Sequence, residues 1–179
     1  GSGKTMLMKC VCGFSHPTSG IVLADEKVIG KDVDYLPDAG VIIETPGFIS
    51  YYSGLQNLKV LEGIKNKIDN SQIRDAMKRV GLDPDLKLPV KKYSLGMRQR
   101  LGLAQAIMES PSVLILDEPM NGLDKNGVEE IRQLLLSMKN DHKTIVIASH
   151  NAEDIQVLCD EVYDMENGKL EVNSIKQQI

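Results

Sequence analysis

Apolar residues recur along this chain in two rhythms, and the alternation between them predicts the architecture. Met6–Gly13 reads as a helix stopped by a glycine. Ile21–Ala24 and Lys27–Ile29 flank Asp25-Glu26 and predict a hairpin. Val41-Ile42-Ile43 is a short apolar strand running into the loop Glu44-Thr45-Pro46-Gly47. From Ser53 to Val80 the pattern turns helical, with Leu55, Leu58, Leu61 and Ile64 near helical spacing; Gly81 and Pro84 close that stretch. Gly96–Ser110 predicts another helix. Val113–Leu116 and Thr144–Ser149 are continuous apolar runs, the mark of strands buried on both faces. Asp124 is placed to cap a helix from about Lys125 to Asp141, and Asn151–Leu158 predicts a shorter one. Glu161–Met165 and Lys169–Val172 surround Asn167-Gly168, a strong hairpin signal. Buried strands alternating with helices predict an α/β fold with a mainly parallel sheet flanked by helices. The helix-rich block that starts near Ser50 is expected to form a small helical subdomain, about residues 50–110, inside one domain of residues 1–179.

Composition narrows the function. With 179 residues, 42% of them hydrophobic, the chain can bury one domain core. Acidic residues number 25 against 21 basic ones, a net charge of −4, which speaks against a nucleic-acid partner. Three cysteines, Cys10, Cys12 and Cys159, are an odd number and predict free thiols in a reducing compartment. No apolar run approaches the roughly 18 residues needed to span a bilayer, so a membrane role requires a partner.

Two stretches carry candidate chemistry. Gly1-Ser2-Gly3-Lys4-Thr5 matches the end of the phosphate-loop pattern G-x-x-x-x-G-K-[ST]. In such a loop, amides at a helix N-terminus face phosphates, the lysine reaches the β and γ oxygens, and the hydroxyl ligates Mg2+. A plain glycine turn before a helix is the alternative. Val113–Leu116 delivers Asp117 and Glu118 at a strand's C-terminal end, where open α/β sheets place their ligands. Asp117 is placed to hold Mg2+ and Glu118 to polarise an attacking water; solvated acids at a strand end are the alternative. His16 and His142 are expected at the surface.

Tyr93-Ser94-Leu95-Gly96-Met97-Arg98-Gln99-Arg100 resembles the signature motif of ABC-type ATPases, with Leu95 and Met97 departing from its Leu-Ser-Gly-Gly-Gln form. Asn121-Gly122-Leu123-Asp124 looks like that family's D-loop, and His150 like its switch histidine. The motifs fall in family order across essentially the whole chain. The resemblance implies a P-loop NTPase fold with ATP and Mg2+ as cofactors. It assigns Gly1, Ser2, Gly3, Lys4, Thr5 and Met6 to ATP, and Thr5, Glu44 and Asp117 to the metal. Glu118, His150 and Glu44 are the implied catalytic residues. Ser94, Leu95, Gly96, Met97 and Arg98 are assigned to the ATP of a second ATPase domain, in a homo- or heterodimer. Glu44 stands where the family normally has glutamine, and Met6 where it often has threonine or serine. The strings Ile-Glu-Thr-Pro-Gly-Phe and Tyr-Ser-Leu-Gly-Met-Arg-Gln-Arg resemble the peptide-antibiotic export and immunity branch, as in bacitracin and lantibiotic systems. A cytoplasmic subunit is implied, held at the inner face of the membrane by a separate permease that receives force through Phe48–Ile64. The family's domain begins a few dozen residues before its GSGKT equivalent, so a polypeptide starting at Gly1 is expected to bind ATP poorly. A non-transport ABC ATPase, a P-loop kinase and a non-catalytic nucleotide-binding module are the competing readings. The first is disfavoured by the acidic charge and the lack of a long coiled-coil insertion between Glu44 and Tyr93, the second by the signature string and the Asp-Glu pair.

Overall fold

The computed structural model describes residues 1–65 and 67–175. Helix α1 spans Lys4–Cys12 and ends at Gly13, whose N–H reaches back to the Cys10 carbonyl. A two-residue hairpin follows, β1 (Leu23–Ala24) against β2 (Lys27–Val28). Its turn residues Asp25 and Glu26 both take positive φ, the backbone that a tight hairpin turn requires. Strand β3 covers Ala39–Ile42.

The helical stretch expected from Ser53 to Val80 is two helices: α2 (Gly54–Lys65) and α3 (Asn70–Arg79). Asn66, inside that stretch, lies outside the described residues. Asp69 starts the second helix by a reciprocal cap: its carboxylate accepts from the Ser71 and Gln72 amides, and the Gln72 side chain accepts from the Asp69 amide. Val90–Lys92 forms a short 3-10 turn before α4 (Leu95–Ile107), which Ser94 caps. Then come β4 (Val113–Asp117), α5 (Lys125–Asn140) capped by Asp124, β5 (Thr144–Ala148) and α6 (Ala152–Leu158) capped by Asn151. The chain closes with the hairpin β6 (Glu161–Glu166) and β7 (Lys169–Ile175), turning at Asn167-Gly168 as the Asn-Gly pair predicts.

Strands β3, β4 and β5 form a parallel sheet with β4 in the middle. Alternate residues of β4 serve two cores. Leu114 and Leu116 pack into the larger one with Leu101, Leu103, Ile131 and Leu135, whereas Ile115 meets Met8 and Cys12 of α1 on the other face. The continuous apolar run in the sequence follows from this two-sided burial. Among the described residues, β5 pairs only with β4, and Val146 on it is 43% exposed. The larger core continues into α2 and α3 through Leu58, Ile73 and Met77.

Two local features give tests. Gly40 of β3 lies so close to α4 that a Cβ there would sit 1.9 Å from the Ala106 carbonyl oxygen, a backbone atom that cannot yield. Gly40→Ala is expected to lower the unfolding free energy by about 3 kcal/mol, read by urea denaturation. None of the three cysteines forms a disulfide, and burial pushes the Cys12 thiol up from 9.0 to about 11. Burial favours the neutral thiol, so its contribution to stability is complete below pH 9.0 and is lost as pH rises through about 11. At pH 8, iodoacetamide is expected to label the half-buried Cys10 while sparing Cys12 until the protein unfolds, as peptide mass spectrometry would show.

Candidate functional site

The phosphate-loop residues sit at the start of α1. Gly3 precedes the helix with φ 108°, a backbone that a Cβ would strain, so glycine is what this turn demands. The Gly168 amide of the β6–β7 turn holds the Ser2 carbonyl at 3.1 Å, and the Lys4 Nζ lies 3.4 Å from the Ser2 Oγ. One residue on, the Thr5 hydroxyl donates to Asp117 Oδ2 at 2.7 Å, joining the first turn of α1 to the end of β4.

Glu118 leaves β4 with φ 50°, its N–H donating to the Ala148 carbonyl at the end of β5. This places its side chain beside the loop that follows β5. Its Oε1 is buried and has no hydrogen-bond partner among the described residues. His150 Nε2 stands 3.4 Å away, near enough for ion pairing when protonated but without the geometry of a hydrogen bond; its ring is otherwise 79% exposed. A buried carboxylate oxygen left unpaired is costly, and in this open cleft it is a natural acceptor for a water molecule. The cleft measures about 560 Å³ and collects Gly1–Met6, Glu44, Asp117, Glu118 and His150. An ammonium, helix-start amides and several carboxylate oxygens in one cavity fit a polyphosphate and a hard divalent cation.

The signature segment meets the same cleft in part. Leu95 and Arg98 line it, whereas Ser94, Gly96, Met97 and Asp124 do not. Ser94 Oγ accepts from the Met97 amide at 3.1 Å and Asp124 Oδ1 from the Gly127 amide at 2.9 Å, so both act as helix caps in this chain. Gly96 approaches the carbonyl of Gly122, bringing the start of α4 against the turn before Asp124.

Two residues of this region were not legible as participants. Gln99 donates to the carbonyls of Glu118 at 3.2 Å and Pro119 at 3.0 Å, holding the turn that carries the carboxylate. Lys9 pairs with Glu44 at 2.6 Å. Its place one helical turn beyond Thr5 was the available signal.

Behind His150 stands a buried brace. Arg132 of α5 donates to Asp154 Oδ1 through Nε at 2.9 Å and Nη2 at 2.6 Å, and to Glu153 at 3.0 Å. These partners raise the Arg132 pKa, Glu153 first and then Asp154, while the same guanidinium lowers that of Glu153. Asp154 Oδ2 accepts from the Ser149 hydroxyl at 3.2 Å, and Ser149 immediately precedes His150.

Fold and cleft together fit an ATPase of the ABC type, and the comparisons with known proteins agree. The ABC transporter family matches residues 1–121, and the chain belongs to that family. An uncharacterized ABC transporter ATP-binding protein of Bacillus subtilis (strain 168), YybJ, is 42% identical over 173 residues, spanning 97% of this chain and 79% of its own. The bacitracin transport ATP-binding protein BcrA of Enterococcus faecalis is 40% identical over 177 residues, spanning 97% of this chain; this chain covers 58% of BcrA. In fold, a dimeric ATP-binding cassette in a post-hydrolysis state with ADP and Pi, MJ0796, superposes with a TM-score of 0.88 at 21% identity, over 99% of this chain and 82% of that one.

The brace predicts a specific loss. The Arg132 and Asp154 side chains are 7% and 2% exposed, so Asp154→Ala takes two hydrogen bonds from a buried guanidinium and leaves it the exposed acids Glu153 and Glu129. It is expected to cost about 2 kcal/mol of unfolding free energy in urea.

Proposed function

We propose that this chain is the ATP-binding and ATP-hydrolysing subunit of an ABC transporter whose cargo is a peptide antibiotic or small amphipathic compound. One observation carries the reading: Lys4, Thr5, Asp117 and Glu118 converge in one cleft, with the Thr5 hydroxyl bonded to Asp117 and a buried Glu118 oxygen that has no hydrogen-bond partner among the described residues. The cargo class rests on the similarity to the bacitracin transport protein.

In this reading the Lys4 ammonium and the amides of Gly1–Met6 bind the β- and γ-phosphates. Thr5, Asp117 and Glu44 hold Mg2+, which when bound neutralises phosphate charge and polarises the phosphoryl oxygens. Glu118 orients a water on the γ-phosphorus and accepts its proton at the carboxylate as the bond to the β-phosphate oxygen breaks. His150 contacts the γ-phosphate from beside Glu118, and Gln99 keeps the Glu118 turn in place. Ser94, Leu95, Gly96, Met97 and Arg98 serve the ATP of a second ATPase domain, with Asp124 on the adjoining loop. The start of α4 is suited to that task because helix N-termini favour anions. A separate permease receives the motion at Phe48–Ile64, where Tyr51 and Ile64 are exposed. The subunit then works at the cytoplasmic face of the membrane; no described helix is long and apolar enough to cross it.

Glu118→Gln is expected to retain MgATP affinity within about 3-fold while phosphate release falls by about 100-fold or more. Lys4→Ala is expected to weaken binding by about 10-fold or more, since it removes a charge-assisted contact. Titration calorimetry and a phosphate-release assay check both; hydrolysis at the unmutated rate by Glu118→Gln would remove that residue from the chemistry.

A further inference from the structure

The loop that follows β3 carries a carboxylate at the edge of a site built for anions. Glu44 lines the phosphate cleft with its side chain 63% exposed, and its backbone is left-handed at φ 61°. A negative group there opposes the binding of a polyphosphate except as far as the bound Mg2+ or a further positive charge offsets it. The chain supplies one. Lys9 stands on α1 one turn beyond Thr5, and its ammonium meets Glu44 Oε1 at 2.6 Å, with the lysine side chain only 28% exposed. The last turn of α1 suits a cation, because the helix C-terminus is the negative end of its dipole.

The far end of the same loop is also held. Buried Asn57 of α2 accepts from the Ile49 amide at 2.7 Å and donates to the Ile49 carbonyl at 3.1 Å. Pro46, between the two anchors, packs against Gly102 of α4. The segment from Glu44 to Ile49 is thus tied to the nucleotide helix by Lys9 and to the helical lobe by Asn57.

We propose that Lys9 is a positioning residue for Glu44: it cancels the charge a carboxylate brings to the phosphate cleft and fastens the loop after β3 to the helix bearing the phosphate-binding residues. This rests on the ATPase reading above for its charge-balancing part and on the ion pair alone for its tethering part. Lys9 acts through Glu44, so the consequence of losing it depends on what stands at position 44. A lysine that merely attracted phosphates would matter equally beside glutamate or glutamine.

The test is a double-mutant cycle in the full chain: unmutated protein, Lys9→Met, Glu44→Gln and the double variant. MgATP dissociation constants come from titration calorimetry at low ionic strength. Lys9→Met is expected to weaken binding roughly 5-fold when Glu44 is present, the scale of a partly exposed ion pair. In the Glu44→Gln background the same change is expected to cost less than about 2-fold, so that glutamine rescues the missing lysine. Equal losses in both backgrounds would overturn the proposal. Hydrogen exchange without nucleotide gives a second readout: Lys9→Met and Glu44→Gln are each expected to speed amide exchange across Glu44–Phe48 by about 5-fold. Unchanged exchange in both variants would overturn the tether. If the unmutated chain binds MgATP too weakly to titrate, the exchange result alone decides for or against the pair.

Discussion

A hydrogen bond between Thr5 Oγ1 and Asp117 Oδ2 joins residues 112 positions apart. One partner lies in the first turn of α1 and the other closes β4, so the bond brings the glycine turn before α1 to the carboxylate end of the central strand. The parallel sheet aligns the rest. Ile42 pairs with Leu116, and Asp117 with Ala148, so three strands finish at nearly one level. Glu44, Glu118 and His150 each lie within two residues of such a finish. Side chains gathered this way need no loop of their own to converge, which is why open α/β sheets bind ligands at this edge.

Helix α4 links that edge to the remainder of the molecule. Its first turn borders the cleft, Gln99 holds the Glu118 turn, and Arg100 both bonds the Val80 carbonyl at the end of α3 and pairs with Glu130 of α5 at 2.8 Å. Its buried face supplies Leu101, Leu103 and Ile107 to the larger core. A shift of this helix therefore has to be shared by the sheet, the helical lobe and α5, because close-packed interiors deform as units.

The sequence made the sheet strands and long helices readable because each repeats one period over several residues. Val113–Leu116 and Thr144–Ser149 announced β4 and β5, and Asp124 announced the start of α5. The division between α2 and α3 was hidden, since apolar spacing continues across it and only the Asp69–Gln72 cap marks the new start. Strand limits shifted by a residue or two for the same reason: β3 begins at Ala39, where pairing with Val113 starts, although its apolar signal begins at Val41. Lys4, Thr5, Asp117 and Glu118 were legible because their spacing within each motif is local. Lys9 and Gln99 were not, since what distinguishes them is a partner 35 residues away in one case and 19 in the other.

Glu44 and Glu118 share a conformation as well as a charge: both are left-handed, at φ 61° and 50°. An L-residue held this way is strained by about 1–2 kcal/mol. Glycine at either position would relieve the backbone and delete the carboxylate in one stroke. Directed evolution of this chain for heat resistance alone would therefore drift toward glycine at 44 and 118, trading away two of the three acids that face the cleft.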